Sequence, residues 1–168
     1  GHHCLECEGY EADDILGTLS ALAEQNGVTP VVVSGDRDLL QIAGENLKVR
    51  IPKTKGGKTE TEDYYAADVV EKYGVTPTEF IDVKALMGDA SDNIPGVPGI
   101  GEKTAVKIIQ QYHDIETAIE HAAEIKPKKA SENLVEFQEQ ARLSKFLATI
   151  IRDMPLEWNT DSMRITEL

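Results

Sequence analysis

The sequence predicts an α/β domain whose second half is mainly helical, on three observations. A β-branched run, Val31-Val32-Val33, follows an amphipathic helical stretch and ends in turn formers, the alternation expected of a sheet flanked by helices. Helical periodicity takes over after Thr61 and returns repeatedly as far as Ile151. The chain has 168 residues, 40% hydrophobic and 28% charged, the size and balance of one ordinary globular domain.

The opening residues 1–7, with Cys4-Leu5-Glu6-Cys7, alternate like a strand. Ile15, Leu16, Leu19, Leu22 and Ala23 recur at helical spacing until Asn26-Gly27, so a helix is expected over 11–25. Residues 30–34 read as a buried strand that runs into Gly35-Asp36-Arg37-Asp38. A short helix over 39–42, a second strand over 47–51 and a basic turn around Gly56-Gly57 follow. From Thr61 strands disappear: helices are expected over 63–73 and 77–87, each closely preceded by a capping Thr. A Gly/Pro-rich loop spans 88–101, and a helix over 102–112 carries Ala105, Val106, Ile108, Ile109 and Tyr112 on one face. Further helices are expected over 115–123 and 131–151, and the tail 153–168 is strand-like at most. The chain thus divides into residues 1–60, the sheet-bearing part; 61–155, the helical part; and 156–168, a tail.

Composition narrows the function. No apolar run approaches the roughly 20 residues that span a bilayer, so no membrane partner is expected. Seventeen basic against thirty acidic residues give a net charge of −13, so nucleic-acid binding has to come from local features. Two cysteines without a signal-peptide pattern argue against a disulfide scaffold and for an intracellular protein. Cys4 and Cys7 with His2 and His3 leave zinc open, but no second ligand pair stands at suitable spacing.

Carboxylates mark the places where segments meet: Glu11, Asp13 and Asp14, then Asp36 and Asp38, then Asp89 and Asp92. Glu11 and Asp14 share one face of the first helical turn. Asp36 and Asp38 follow a strand at its carboxyl end, where open α/β sheets bind ligands. Brought together, such acids repel and raise one another's pKa unless a cation intervenes, and oxygen-only ligands favour Mg²⁺ or Mn²⁺. Two such ions are a usual arrangement for phosphodiester hydrolysis. The plainer alternative is that the acids cap helices.

The second signal is the glycine-rich turn Ile94-Pro95-Gly96-Val97-Pro98-Gly99-Ile100-Gly101-Glu102-Lys103-Thr104, opening a helix. Glycines let backbone approach a phosphate, and the helix start attracts anions. Glu102 after Gly101 breaks a P-loop, Thr104 and the missing strand break a dinucleotide fingerprint, and Ile94 and Ile100 break an EF-hand starting at Asp89. A tight helix–helix connection without a ligand stays open, and the Lys126, Lys128 and Lys129 cluster reads as a solvated loop.

Taken together, the segments 9–14, Ser34-Gly35-Asp36-Arg37-Asp38 and 86–104 (Leu86-Met87-Gly88-Asp89-Ala90-Ser91-Asp92-Asn93 and the glycine turn) closely resemble the 5′-nuclease domain of bacterial DNA polymerase I, which is similar to flap endonucleases and phage 5′-exonucleases. The resemblance implies a PIN-like, parallel-sheet α/β core with a helix-three-turn-helix that grips the duplex. It implies that Glu11, Asp13, Asp14, Asp36, Asp38, Asp89 and Asp92 bind two divalent ions, with Asp13, Asp36 and Asp38 as the catalytic set. Gly96, Val97, Gly99, Gly101, Lys103 and Thr104 would grip the DNA backbone, with a K⁺ at the turn carbonyls. The implied activity is hydrolysis at a 5′ end or 5′ flap of DNA, or of an RNA primer in a hybrid, by a cytoplasmic bacterial protein; a monomer is expected because nothing in the sequence argues for an interface. Family members begin with a strand bearing another metal-binding Asp, a further Asp and a basic arch. Without these the chain is expected to be a fragment of the domain, nearly inactive alone. The rival readings are a non-catalytic helix-hairpin-helix DNA-binding module and, less well matched, a PIN-type RNase.

Overall fold

The computed structural model describes residues 2–164. Helix α1 (Ala12–Gln25) begins where the backbone N–H of Glu11 donates to Asp14 Oδ2 at 3.1 Å, and it ends at Asn26, whose N–H donates back into the last turn. Strand β1 (Val31–Val33) pairs in parallel with β2 (Lys48–Lys55), and β2 pairs antiparallel with β3 (Lys58–Tyr64), giving a three-stranded mixed sheet in the order β1-β2-β3. Between β1 and β2 a 3-10 turn, Arg37–Ile42, buries Leu39, Leu40 and Ile42.

Strand β3 departs from the expectation that strands end before Thr61. Gly56 and Gly57, with φ of 58° and 80°, form the two-residue turn that folds β3 back onto β2. Its sequence, Lys-Thr-Glu-Thr-Glu-Asp-Tyr, carries no apolar alternation, and cross-strand pairs hold it instead: Arg50 to Asp63 at 2.8 Å and Lys53 to Glu62 at 2.5 Å. The sheet is therefore mixed where a parallel one was expected, and residue 60 falls inside a strand. The strand over 30–34 is also not buried throughout. Val32 is, whereas Val31 and Val33 are exposed, because β1 ends the sheet and only one of its faces is covered among the described residues.

Helix α2 (Ala66–Tyr73) starts at Tyr65, whose N–H donates to Asp68 Oδ2 at 2.8 Å, so no Thr caps it. Helix α3 (Pro77–Met87) is closed by a reciprocal Thr76–Glu79 box with Pro77 at its first position. The loop after it leads into α4 (Glu102–Tyr112), α5 (Ile115–Glu120) with a 3-10 turn Ala122–Glu124, α6 (Lys128–Glu136) and α7 (Gln138–Ala148). The single helix expected over 131–151 is thus two, broken at Phe137. In the tail, expected to be strand-like at most, a short helix α8 (Thr160–Met163) stands instead, and residues 165–168 of that expectation lie outside the described residues. Residues 2–7 form no strand.

Two apolar cores result. One gathers Val32, Leu39, Leu47, Val49, Ile51 and Ile150 around the sheet; the other gathers Val83, Leu86, Ile109, Ile115 and Leu134 among the helices. Tyr73 packs against both. Ile150, beyond α7, belongs to the sheet core, so the chain returns to its first half after the helical excursion.

Candidate metal centre and nucleic-acid interface

A cleft of about 620 Å³ opens where the two halves meet, lined by Glu11, Asp13, Asp14, Asp36, Asp38 and Asp92 and by the segment 146–151. The first turn of α1 supplies the first three acids. The carboxyl end of β1 supplies the next two, the position that an open sheet reserves for ligands. The loop after α3 supplies the last, held in shape by reciprocal backbone bonds between Asp89 and Ile94, each 2.8 Å. Six of the seven acids singled out in the sequence therefore line one cleft, and the seventh, Asp89, offers an oxygen within 4.8 Å of those of Asp38 and Asp92.

Helix capping accounts for part of this set and not for the rest. Asp14 is tied at both oxygens, to the N–H of Glu11 and to that of Ile151 at 2.9 Å. Asp36 caps the 3-10 turn by accepting from the Asp38 N–H at 2.9 Å. Asp89 Oδ1 accepts from both the N–H and the hydroxyl of Ser91, which with Lys84 hold its carboxyl down at about 2. Asp13, Asp38 and Asp92 cap nothing among the described hydrogen bonds. Burial first, and then the charges of Asp36, Asp38, Glu11 and Asp14, push Asp13 up to about 6. Burial also pushes Asp38 up to about 6, outweighing the opposing pull of Lys84.

Lys84 was not singled out in the sequence. Its side chain is only 4% exposed, and its ammonium pairs with Asp38, with Asp89 at 3.1 Å and with Asp92 at 3.3 Å. Those three carboxylates offer oxygens all within 4.8 Å of one another. The signal that was available is its place in α3: Asp82, Val83, Ala85 and Leu86 are all buried around it, and a lysine in such a stretch needs a partner. Arg37, although it lies between Asp36 and Asp38, turns away to the Tyr73 hydroxyl and to Glu62 at 3.7 Å.

The donor set is carboxylate oxygen throughout, and burial drives two of its members, Asp13 and Asp38, up. It fits a hard divalent cation. Lys84 supplies positive charge among Asp38, Asp89 and Asp92, whereas Glu11, Asp13, Asp14 and Asp36 have no cation of the chain paired with them among the described ion pairs. Cys4 and Cys7 are free thiols, and no third ligand joins them among the described residues.

The glycine turn splits into an inner and an outer part. Gly96 donates to Ser144 Oγ at 2.9 Å and accepts from Gln140 Nε2 at 2.8 Å, and Val97, 3% exposed, donates to Leu86 O at 2.7 Å. With φ at 65°, a Cβ on Gly96 would lie 2.7 Å from Gly88 Cα. These two residues, expected among the DNA contacts, therefore lock the turn to α3 and α7. Gly99, Gly101 and Lys103 form its exposed rim, with Thr104 half-buried beside them. Asn133 braces the rim by donating to Pro98 O at 2.7 Å.

The match to known proteins covers both halves. A family model described as 5′-3′ exonuclease, N-terminal resolvase-like domain, matches residues 1–74, and one described as 5′-3′ exonuclease, C-terminal SAM fold, matches residues 75–168. The chain is 53% identical over 158 residues to DNA polymerase I of Bacillus caldotenax, covering 94% of this chain and 18% of that protein. It is 52% identical over 152 residues to DNA polymerase I of Bacillus subtilis (strain 168), covering 90% of this chain and 17% of that protein. It superposes on the bacteriophage T5 5′-exonuclease bound to zinc with a TM-score of 0.75 at 26% identity, over 88% of this chain and 52% of the other. A T5 flap endonuclease in a pseudo-enzyme-product complex with DNA and metal ions gives 0.73 at 25% identity, over 86% and 51%. The chain spans less than a fifth of the polymerases and about half of the phage enzyme. With the two family models together matching residues 1–168, and with the motifs, fold and acidic cleft in agreement, the chain belongs to the 5′-3′ exonuclease family.

Proposed function

We propose that this chain forms the acidic centre and the duplex grip of a divalent-metal-dependent 5′-3′ exonuclease and 5′-flap endonuclease, within a bacterial DNA polymerase I of the cytoplasm. Its substrate is DNA with a 5′ end or flap, or an RNA primer in a hybrid, and it works as a monomer. The observation that carries this reading is the gathering of six carboxylates in one cleft, in which burial first, and then neighbouring negative charge, drive Asp13 and Asp38 up to about 6. The T5 flap endonuclease with DNA and metal ions supports both ligands.

Glu11, Asp13, Asp14, Asp36, Asp38, Asp89 and Asp92 would hold two Mg²⁺ or Mn²⁺ ions, directly or through water. When bound, such ions lower the pKa of an attacking water and stabilise charge on the scissile phosphate. The chain's own residues do the positioning. The Asp38 N–H fixes one oxygen of Asp36 and leaves the other uncommitted. Lys84 holds Asp38, Asp89 and Asp92 together before a cation arrives. Gly99, Gly101, Lys103 and Thr104 present N–H groups, an ammonium and a hydroxyl to the phosphate backbone, which positions DNA without reading its sequence; a K⁺ at the turn carbonyls would reinforce that grip.

The test is Mg²⁺-dependent cleavage of a labelled 5′-flap DNA by the intact protein, beside its Asp36→Asn/Asp38→Asn double variant. Cleavage should vanish in the variant while flap binding persists. An unmutated protein that binds the flap without cutting it refutes the nuclease reading in favour of a DNA-binding module.

A further inference from the structure

The segment just after α7 touches both acid-bearing elements with successive backbone groups. The Gln41 side chain, in the same 3-10 turn as Asp38, acts there as a piece of backbone: its Nε2 donates to Ala148 O at 2.9 Å, and its Oε1 accepts from the Ile150 N–H at 2.9 Å. Gln41 is buried, and neither bond competes with bulk water. The very next N–H, that of Ile151, donates to Asp14 at 2.9 Å. Beyond it, Thr18 accepts from the Met154 N–H at 3.2 Å, and Arg152 donates to Gly17 O at 3.2 Å. A Cβ on Gly17 would lie 2.7 Å from the Ile150 side chain, so this segment lies directly against α1.

We infer that Gln41 is a positioning residue for the acidic centre: by clasping Ala148–Ile150, it sets the spacing between Asp38 on the 3-10 turn and Asp14 and Asp13 on α1. The geometry of the clasp gives the reason. A 3-10 helix repeats every three residues, so Asp38 and Gln41 leave the same side of the turn. Ala148 and Ile150 line the very cleft that Asp38 enters. Any slackening at Gln41 therefore moves one acid set against the other. The same segment ends α7, whose Ser144 and Gln140 hold Gly96 of the glycine turn, so one rigid helix connects the duplex grip to this clasp. The inference rests on the proposed function for its meaning, although its metal readout is independent of cleavage.

The test uses the intact protein with Gln41→Met, which conserves volume and removes both bonds, and Gln41→Glu, which keeps the acceptor for Ile150. Val69→Ala, in α2 and not among the residues lining the cleft, supplies a general loss of stability. Mn²⁺ binding is followed by electron paramagnetic resonance, flap-DNA affinity is measured without divalent ions, and kcat and KM are measured with Mg²⁺. Because misplacement of reacting groups by about 1 Å costs up to ~100-fold, Gln41→Met should lower kcat by about tenfold or more and weaken Mn²⁺ binding several-fold. Flap affinity should stay within about twofold, Gln41→Glu should lie between the two, and Val69→Ala should leave Mn²⁺ binding unchanged. Equal Mn²⁺ affinity in Gln41→Met and the unmutated protein, or equal weakening in Val69→Ala, overturns the inference and leaves Gln41 a packing residue. If the unmutated protein binds Mn²⁺ but does not cleave, the nuclease reading fails while the Mn²⁺ comparison still decides the role of Gln41.

Discussion

Replacing Lys84 by Met keeps the length of the side chain and removes its charge from among three carboxylates. The ammonium lies 3.1 Å from Asp89 and 3.3 Å from Asp92 and also pairs with Asp38. At an effective dielectric near 20, each contact at this range is worth about 5 kcal/mol before desolvation. Without it, acids whose oxygens lie within 4.8 Å repel by about 3.5 kcal/mol per pair. Breaking a buried pair from one side typically costs about 3–5 kcal/mol. Solvent reaches Asp92, 48% exposed, and Asp89, 30% exposed, which screens part of this and puts the expected loss near the lower figure, about 3 kcal/mol. The assay is denaturant unfolding of the intact protein in EDTA and again with Mn²⁺. The variant should be less stable in EDTA and should recover more of its stability with Mn²⁺ than the unmutated protein, because an added cation takes over the charge Lys84 supplied. A variant as stable as the parent in EDTA, or one that Mn²⁺ does not help, refutes the view of Lys84 as an internal counter-ion of the centre.

Three further outcomes are expected. Gly96→Ala puts a Cβ 2.7 Å from Gly88 Cα at a φ of 65°, so it should lower stability by about 2 kcal/mol or more and weaken flap binding; a neutral result by both calorimetry and binding would remove the close approach from the argument. Lys103→Ala should reduce the slope of log binding constant against log salt by about one unit with little regard to DNA sequence, measured by fluorescence anisotropy. Asp82, 3% exposed, has its carboxyl pushed up by burial, against the pull of Lys145 at 2.9 Å and the Ile115 N–H. With Lys145→Met, the buried carboxylate loses its counter-ion. The destabilisation should therefore be greatest at neutral pH, where Asp82 is charged, and should shrink as pH falls through its raised pKa and the group becomes neutral; a pH-independent difference in stability would contradict this sign.

The parts of the molecule legible in the sequence are those whose signals are local. The helix over 77–87 is fixed by Thr76, Pro77 and Glu79 acting within one turn, and the helix over 102–112 by its apolar spacing after Gly101. The acids were legible because their motif positions lie at element ends, where charges face a cleft. Strand β3 was not, because its stability comes from pairing with β2 and from Arg50 and Lys53 across the ladder rather than from an apolar face of its own. The break at Phe137 was hidden for a related reason: α6 and α7 each carry helical periodicity, and the direction of the turn between them is set by what they pack against.

By itself, then, the sequence determined the family and the candidate groups: seven carboxylates in three clusters and a glycine turn opening a helix. The tertiary structure alone decided how those groups are arranged. It divided the acids into caps and free donors, seated Lys84 among Asp38, Asp89 and Asp92, turned Gly96 and Val97 inward, and brought the segment after α7 back across more than a hundred residues to Gln41 and Asp14. Charge type and helix periodicity are properties of neighbouring residues. The desolvation that raises Asp13 and Asp38, and the partners that satisfy buried polar atoms, depend on segments far apart in the chain, so they exist only once it has folded.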